Sequence, residues 1–153
     1  MYANSAADAI SPPYIITTIA TYDFNESQGR RYVTYEVEVQ LPELIFGDVV
    51  DRKRWVERKR YNDFVALLQS LAKQFHDLPP LPPKQFFNTF SEAFLETRRE
   101  ALDVWLRRVL TDRSVVVSSD VKNFMKLPFM VSNHLKKIFR PEAVLPTFSS
   151  QQE

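Results

Sequence analysis

Between Leu78 and Lys84 the chain reads Leu-Pro-Pro-Leu-Pro-Pro-Lys, and no regular hydrogen-bonded ladder can run through it. Proline has no backbone N–H to donate and its ring fixes φ, so helix and central strand are both excluded. The stretch is expected to be polyproline II, a left-handed extended helix of about three residues per turn. That period sets Leu78, Leu81 and Lys84 along one edge, so leucines packed on a domain would hold Lys84 beside it.

Upstream of the prolines the patterning is mostly that of strands. Residues 1–13 are small and polar, end in Pro12-Pro13, and are expected to form a disordered lead-in. Tyr14 to Tyr22, rich in Ile and Thr, reads as a first strand and Asp23 to Arg31 as a turn. Val33, Tyr35, Val37, Val39 and Leu41 then alternate with Thr34, Glu36, Glu38 and Gln40, the period of a half-buried antiparallel strand. In the Pro42 to Asp51 connection, Leu44-Ile45-Phe46 either folds back or stays exposed. Trp55 and Val56 sit in a third strand, and from Asn62, an expected N-cap, Phe64, Leu68, Leu71 and Phe75 recur at helical spacing.

Downstream the period is helical throughout. A helix from about Ser91 to Thr111 carries the stripe Phe94, Leu95, Leu102, Trp105, Leu106 and Val109. A short helix from Ser119 to Leu127 and an amphipathic helix over 129–140 follow, and 141–153 reads as a flexible tail. These elements predict an α+β fold: a three-stranded antiparallel β-meander packed against a helical layer, with a polyproline II crossover between helices.

The charge is concentrated in one place. From Arg52 to Arg60 six basic residues face one acid, Glu57, in a chain whose formal net charge is only +1. Such a run either keeps an edge strand soluble or is aimed at an anion. Parity in the third strand puts Val56, Arg58 and Arg60 on one side. If Val56 faces the helical layer, Arg60 reaches toward Arg98, which interrupts the apolar stripe of the long helix. An arginine there needs an internal salt bridge, water for its head group, or a ligand. With Lys84 on a third side and the flat ring of Tyr61, the group suits a small polyanionic ring.

Other chemistries find no residues to perform them. Cysteine is absent and His76 and His134 stand far apart, so no metal site or cofactor is expected. Two glycines, Gly29 and Gly47, leave no glycine-rich phosphate loop, so bound phosphate would fall to Arg and Lys. Glu92, Glu96, Glu100 and Asp103 lie at helical spacing beside arginines, which predicts surface ion pairs and not catalysis. A near-neutral chain with one basic strand gives nucleic acid nothing to read its grooves. No apolar run approaches the ~20 residues that span a bilayer, and the N-terminus lacks the pattern of a signal peptide, so membrane contact is expected to be peripheral.

Three blocks in order, Val56 to Phe64 ending in Arg-Tyr-Asn-Asp-Phe, the Pro-Pro-Leu-Pro-Pro-Lys segment, and Phe94-Leu-Glu-Thr-Arg-Arg-Glu-Ala-Leu102, together resemble a phox-homology (PX) domain of the sorting-nexin type. The similarity runs roughly from Tyr14 to Leu127 and implies such a domain over 14–128. It implies a phosphoinositide-binding module, with phosphatidylinositol 3-phosphate the commonest ligand, recruited from the cytoplasm to the periphery of endosomal or vacuolar membranes. By position in the motifs, Arg60 resembles the arginine on the 3-phosphate and Tyr61 the aromatic under the inositol ring. Lys84 likewise resembles the lysine on the 1-phosphate, and Arg98 the arginine on the 4- and 5-hydroxyls.

Arg58 and Lys59 are expected to add secondary basic contacts, and Phe86, Phe87 and Phe90 are candidates for insertion into lipid. The rival reading is a protein-interaction module. Pro79-x-x-Pro82-x-Lys84 also fits an SH3 ligand, and the Phe129 to Phe139 helix or the Leu44 to Val50 connection would then offer a partner surface.

Overall fold

Strands β1 (Ile16–Ser27), β2 (Arg30–Gln40) and β3 (Arg54–Lys59) form one antiparallel sheet in the order β1-β2-β3. They are seen in a computed structural model that describes residues 10–85 and 89–140. Gln28 and Gly29, with φ of 52° and 77°, make a two-residue turn that lets the strands pair out to Ser27 and Arg30. The expected turn over 23–31 is thus mostly strand. Its polar residues lie along the hairpin, where Asn25 Nδ2 donates to Thr34 Oγ1 at 2.9 Å. A register shift between Ile19 and Tyr22 marks a bulge in β1.

Alternation in β2 delivers what its period predicts: Tyr35, Val37 and Val39 are buried. In β3 the buried residue is Trp55, whose Nε1 donates to the Met125 carbonyl at 3.0 Å, while Val56 is exposed. The large indole has both more area to bury and a donor to satisfy, so the condition that Val56 face the helical layer is not met.

Among the described residues six helices complete the fold. Helix α1 (Glu43–Phe46) lies in the connection between β2 and β3, α2 (Tyr61–Leu71) follows β3, and the proline crossover leads to the long α3 (Glu92–Val109). Helices α4 (Arg113–Val116), α5 (Ser119–Met125) and α6 (Phe129–Phe139) follow. Ser91 caps α3 by accepting from the Phe94 N–H, and Asp112 and Ser118 cap α4 and α5 in the same way. Phe64 of α2 packs edge-on between Trp105 of α3 and Phe124 of α5, with ring centres 6.3 and 5.2 Å away. Among the described residues no helix is long and apolar enough to cross a membrane.

The short α1 resolves the choice left open for residues 44–46. Phe46 is buried beside His134 of α6, whose Nε2 donates to the Ile45 carbonyl at 2.7 Å, whereas Leu44 is fully exposed. Helix α3 covers the free edge of β1. Asp103 accepts the Ile19 N–H at 2.9 Å, Arg99 donates to the Ile19 carbonyl, and Arg107 Nε donates to the Thr17 carbonyl at 3.2 Å. Side chains thereby occupy backbone groups that an exposed edge would offer to another strand.

Candidate functional site

At the end of β3 the chain turns sharply into α2. Asp63, the third residue of the helix, accepts the Arg60 N–H at 2.7 Å, and its own N–H donates to the Arg60 carbonyl at 2.9 Å. This carboxylate at a helix N-terminus makes Arg60 the N-cap and starts the helix at Tyr61, so Asn62 is the second helical residue and not the cap. Leaving the strand also frees Arg60 from strand parity. Its guanidinium lies 4.3 Å from the centre of the Tyr32 ring.

The crossover is tied down by three side chains that each take one of its carbonyls. Trp105 Nε1 donates to Pro79 O at 2.7 Å, Tyr61 Oη to Pro82 O at 2.6 Å, and Arg98 Nη2 to Pro83 O at 3.1 Å. Prolines give a carbonyl without a paired N–H, so these acceptors must find donors elsewhere. Leu78 and Leu81 pack on the core as their spacing predicts, and Lys84 follows immediately at the surface.

Arg98 is buried, with 9% of its surface exposed. Neither an internal salt bridge nor a solvated head group accounts for it, since no carboxylate pairs with it among the described residues. Its guanidinium is instead stacked 3.8 Å from the Tyr61 ring centre and 4.5 Å from that of Phe94. Burial pulls its pKa below the ordinary guanidinium value, partly offset by Tyr35 and Tyr61, and pushes that of the Tyr35 hydroxyl up, an effect the Arg98 charge opposes. An arginine still remains a cation at neutral pH.

These elements enclose a cleft of about 210 Å³. Arg60 and Tyr61 from the start of α2, Lys84 from the crossover and Arg98 from α3 all line it. Three cations and no carboxylate are among its described lining residues, so the cleft favours an anion, and its size is below the roughly 300–1,000 Å³ usual for drug-like ligands.

Sequence reasoning missed Tyr32, Val33 and Tyr35 of β2 on the opposite wall. Two tyrosines in the terminal half of a strand were the available signal. Phe90 stands at the rim, 38% exposed, its ring 6.2 Å from that of Phe24 with the Arg31 guanidinium 4.6 Å away. Phe86 and Phe87 lie outside the described residues. Arg58 and Lys59 do not line the cleft. Arg58 pairs with Glu36 at 3.1 Å, and the Lys59 ammonium lies 4.8 Å from the Phe124 ring centre beside α5. No group of His, Asp and Glu able to hold a metal occurs among the described residues.

Comparison with known proteins supplies the family context. The family model described as PX domain matches residues 48–128. Human Sorting nexin-30 is 37% identical over 91 residues, covering 56% of this chain and 20% of its own length. The Vacuolar protein sorting-associated protein vps5 of Schizosaccharomyces pombe is 43% identical over 54 residues, 34% of this chain and 9% of the relative. The chain therefore spans about a fifth or less of these relatives. A designed CISK-PX domain superposes with a TM-score of 0.61 at 22% identity, over 71% of this chain and 96% of that one, a likeness of fold.

Proposed function

Because the chain belongs to the PX-domain family, we propose that its cleft receives the headgroup of phosphatidylinositol 3-phosphate and so recruits the protein that carries it to endosomal or vacuolar membranes. The observation that carries this reading is the meeting of Arg60, Tyr61, Lys84 and Arg98, from separate elements, around one cleft free of described acids. Arg60 binds the 3-phosphate through its planar fork, Lys84 meets the 1-phosphate as a point charge, and Arg98 donates to the 4- and 5-hydroxyls beside Tyr61.

Adhesion adds two further terms. Cations near an anionic surface contribute about 1 kcal/mol each, with Arg58 and Lys59 as secondary contacts, and Phe86, Phe87 and Phe90 are the candidates for insertion into the lipid. The molecule is a binding module and not an enzyme. Names of relatives that include sorting nexin and vacuolar protein sorting support the choice of membrane. The SH3-ligand alternative is disfavoured because three carbonyls and two leucines of the proline segment are engaged by the domain itself.

The test is co-sedimentation with vesicles that each contain one phosphoinositide at matched total charge. Wild type is expected to prefer phosphatidylinositol 3-phosphate, and Arg60→Ala and Arg98→Ala, with folding checked, to lose about tenfold or more, the scale of a hydrogen bond to a charged group. Equal binding to every anionic vesicle would leave only an electrostatic patch. No binding by folded wild type would sink the lipid reading.

A further inference from the structure

At the floor of the cleft two polar atoms are buried without a hydrogen-bond partner: Arg98 Nε and the hydroxyl of Tyr35. Both residues line the cleft and both are buried, Tyr35 at 1% exposure. They are neighbours, close enough for the guanidinium to lower the hydroxyl's pKa through its charge and through side-chain hydrogen bonding, although Nε and the hydroxyl do not meet in good hydrogen-bond geometry. A donor and an acceptor side by side, each shut off from water and neither satisfied, is an arrangement native proteins rarely keep without a use. Arg98 is meanwhile held by its other end, with Nη2 on Pro83 O and its plane over Tyr61 and Phe94. The guanidinium is thus anchored in an orientation that leaves Nε without a well-aligned partner.

We propose that Tyr35 is a positioning residue of this site: when Arg98 turns its outer nitrogens toward the hydroxyls of a bound inositol ring, Nε–H closes onto the Tyr35 hydroxyl, which fixes the arginine against the cleft floor. A guanidinium fixed in this way keeps its outer N–H donors at hydrogen-bond distance from ring hydroxyls, and a phosphate at that ring edge would have to push it off the Tyr35 hydroxyl. Tyr35 therefore sharpens the discrimination between a headgroup unphosphorylated at the edge facing Arg98 and one phosphorylated there. This deepens the lipid reading above and rests on it.

The variant that isolates the idea is Tyr35→Phe, which keeps the ring and removes only the hydroxyl. In the free protein that hydroxyl is an unpaired buried group, so its loss is expected to leave Tm unchanged or raise it. Calorimetric titration with soluble dibutanoyl phosphatidylinositol 3-phosphate is expected to show about tenfold weaker binding by the variant, with a smaller preference over the 3,4-bisphosphate lipid. In 1H–15N spectra the Arg98 Nε–H signal is expected to move downfield on adding the monophosphate lipid to wild type and to stay in place in Tyr35→Phe.

Unchanged affinity and preference in Tyr35→Phe would overturn the proposal, as would a loss of affinity that comes with a lower Tm and an unaltered preference, because that is what a packing role produces. Wild type that binds neither soluble lipid would overturn the lipid reading itself and this proposal with it. Wild type that binds, with an Arg98 Nε signal that does not move, would overturn the positioning role alone.

Discussion

Arg98 shows how far a single residue can be read. Its place in an apolar stripe marks it as unusual from spacing alone, but what satisfies it is a proline carbonyl and two aromatic faces contributed by α2, the crossover and α3 itself. Arg98→Lys keeps the charge and loses the planar fork, so it cannot both stack on Tyr61 and hold Pro83 O in the same geometry. It is expected to lower stability by about 1–2 kcal/mol, the sum of a cation–π contact and a hydrogen bond, and to weaken selective lipid binding. Denaturant unfolding together with vesicle co-sedimentation checks both, and a Lys variant equal to wild type in each would show that charge alone suffices. Tyr35 illustrates the opposite case: alternation identifies it as a core residue, and nothing local reveals that its hydroxyl ends beside a guanidinium.

At the scale of elements, periods were legible and orientations were not. The β2 alternation, the α3 stripe and the break at the prolines each follow from local pattern, and α6 begins and ends where its amphipathic run does. Which face of β3 is buried depended on Trp55 finding the Met125 carbonyl, a contact 70 residues away in the chain. Likewise Arg107, which by helical spacing falls on the far side of α3, reaches back to β1 and pairs with Asp103 at 3.1 Å. The edge clamp is testable. Asp103→Ala leaves the Ile19 N–H without its acceptor and is expected to cost about 1–3 kcal/mol. Hydrogen exchange at Ile19 should quicken while exchange in β3 changes only in step with global stability, and an unaltered Ile19 rate would remove the clamp's role.

For the molecule as a whole, the distribution of charge matters more than its sum. A chain of net charge +1 collects Arg60, Lys84 and Arg98 around one concave site, so attraction to anionic surfaces is local and short-ranged. Raising ionic strength from about 0.1 M to 1 M shortens the screening length from roughly 10 to 3 Å. Binding to vesicles with only phosphatidylserine is expected to vanish over that range, while binding to phosphatidylinositol 3-phosphate vesicles falls but persists, because enclosed contacts are screened less. Parallel loss on both lipids in co-sedimentation would argue against an enclosed site. The sequence by itself determined where β2, β3 and the longer helices lie, though not the far half of β1 or the short α1 and α4, because apolar period and proline placement act over a few residues. It also named the four residues that meet in the cleft, through the family pattern. Only the tertiary structure decided the buried face of β3, the anchoring of Arg98 and the inclusion of Tyr32 and Tyr35 in the cleft wall. Each of these arises from contact between segments far apart in the chain, which no local period encodes.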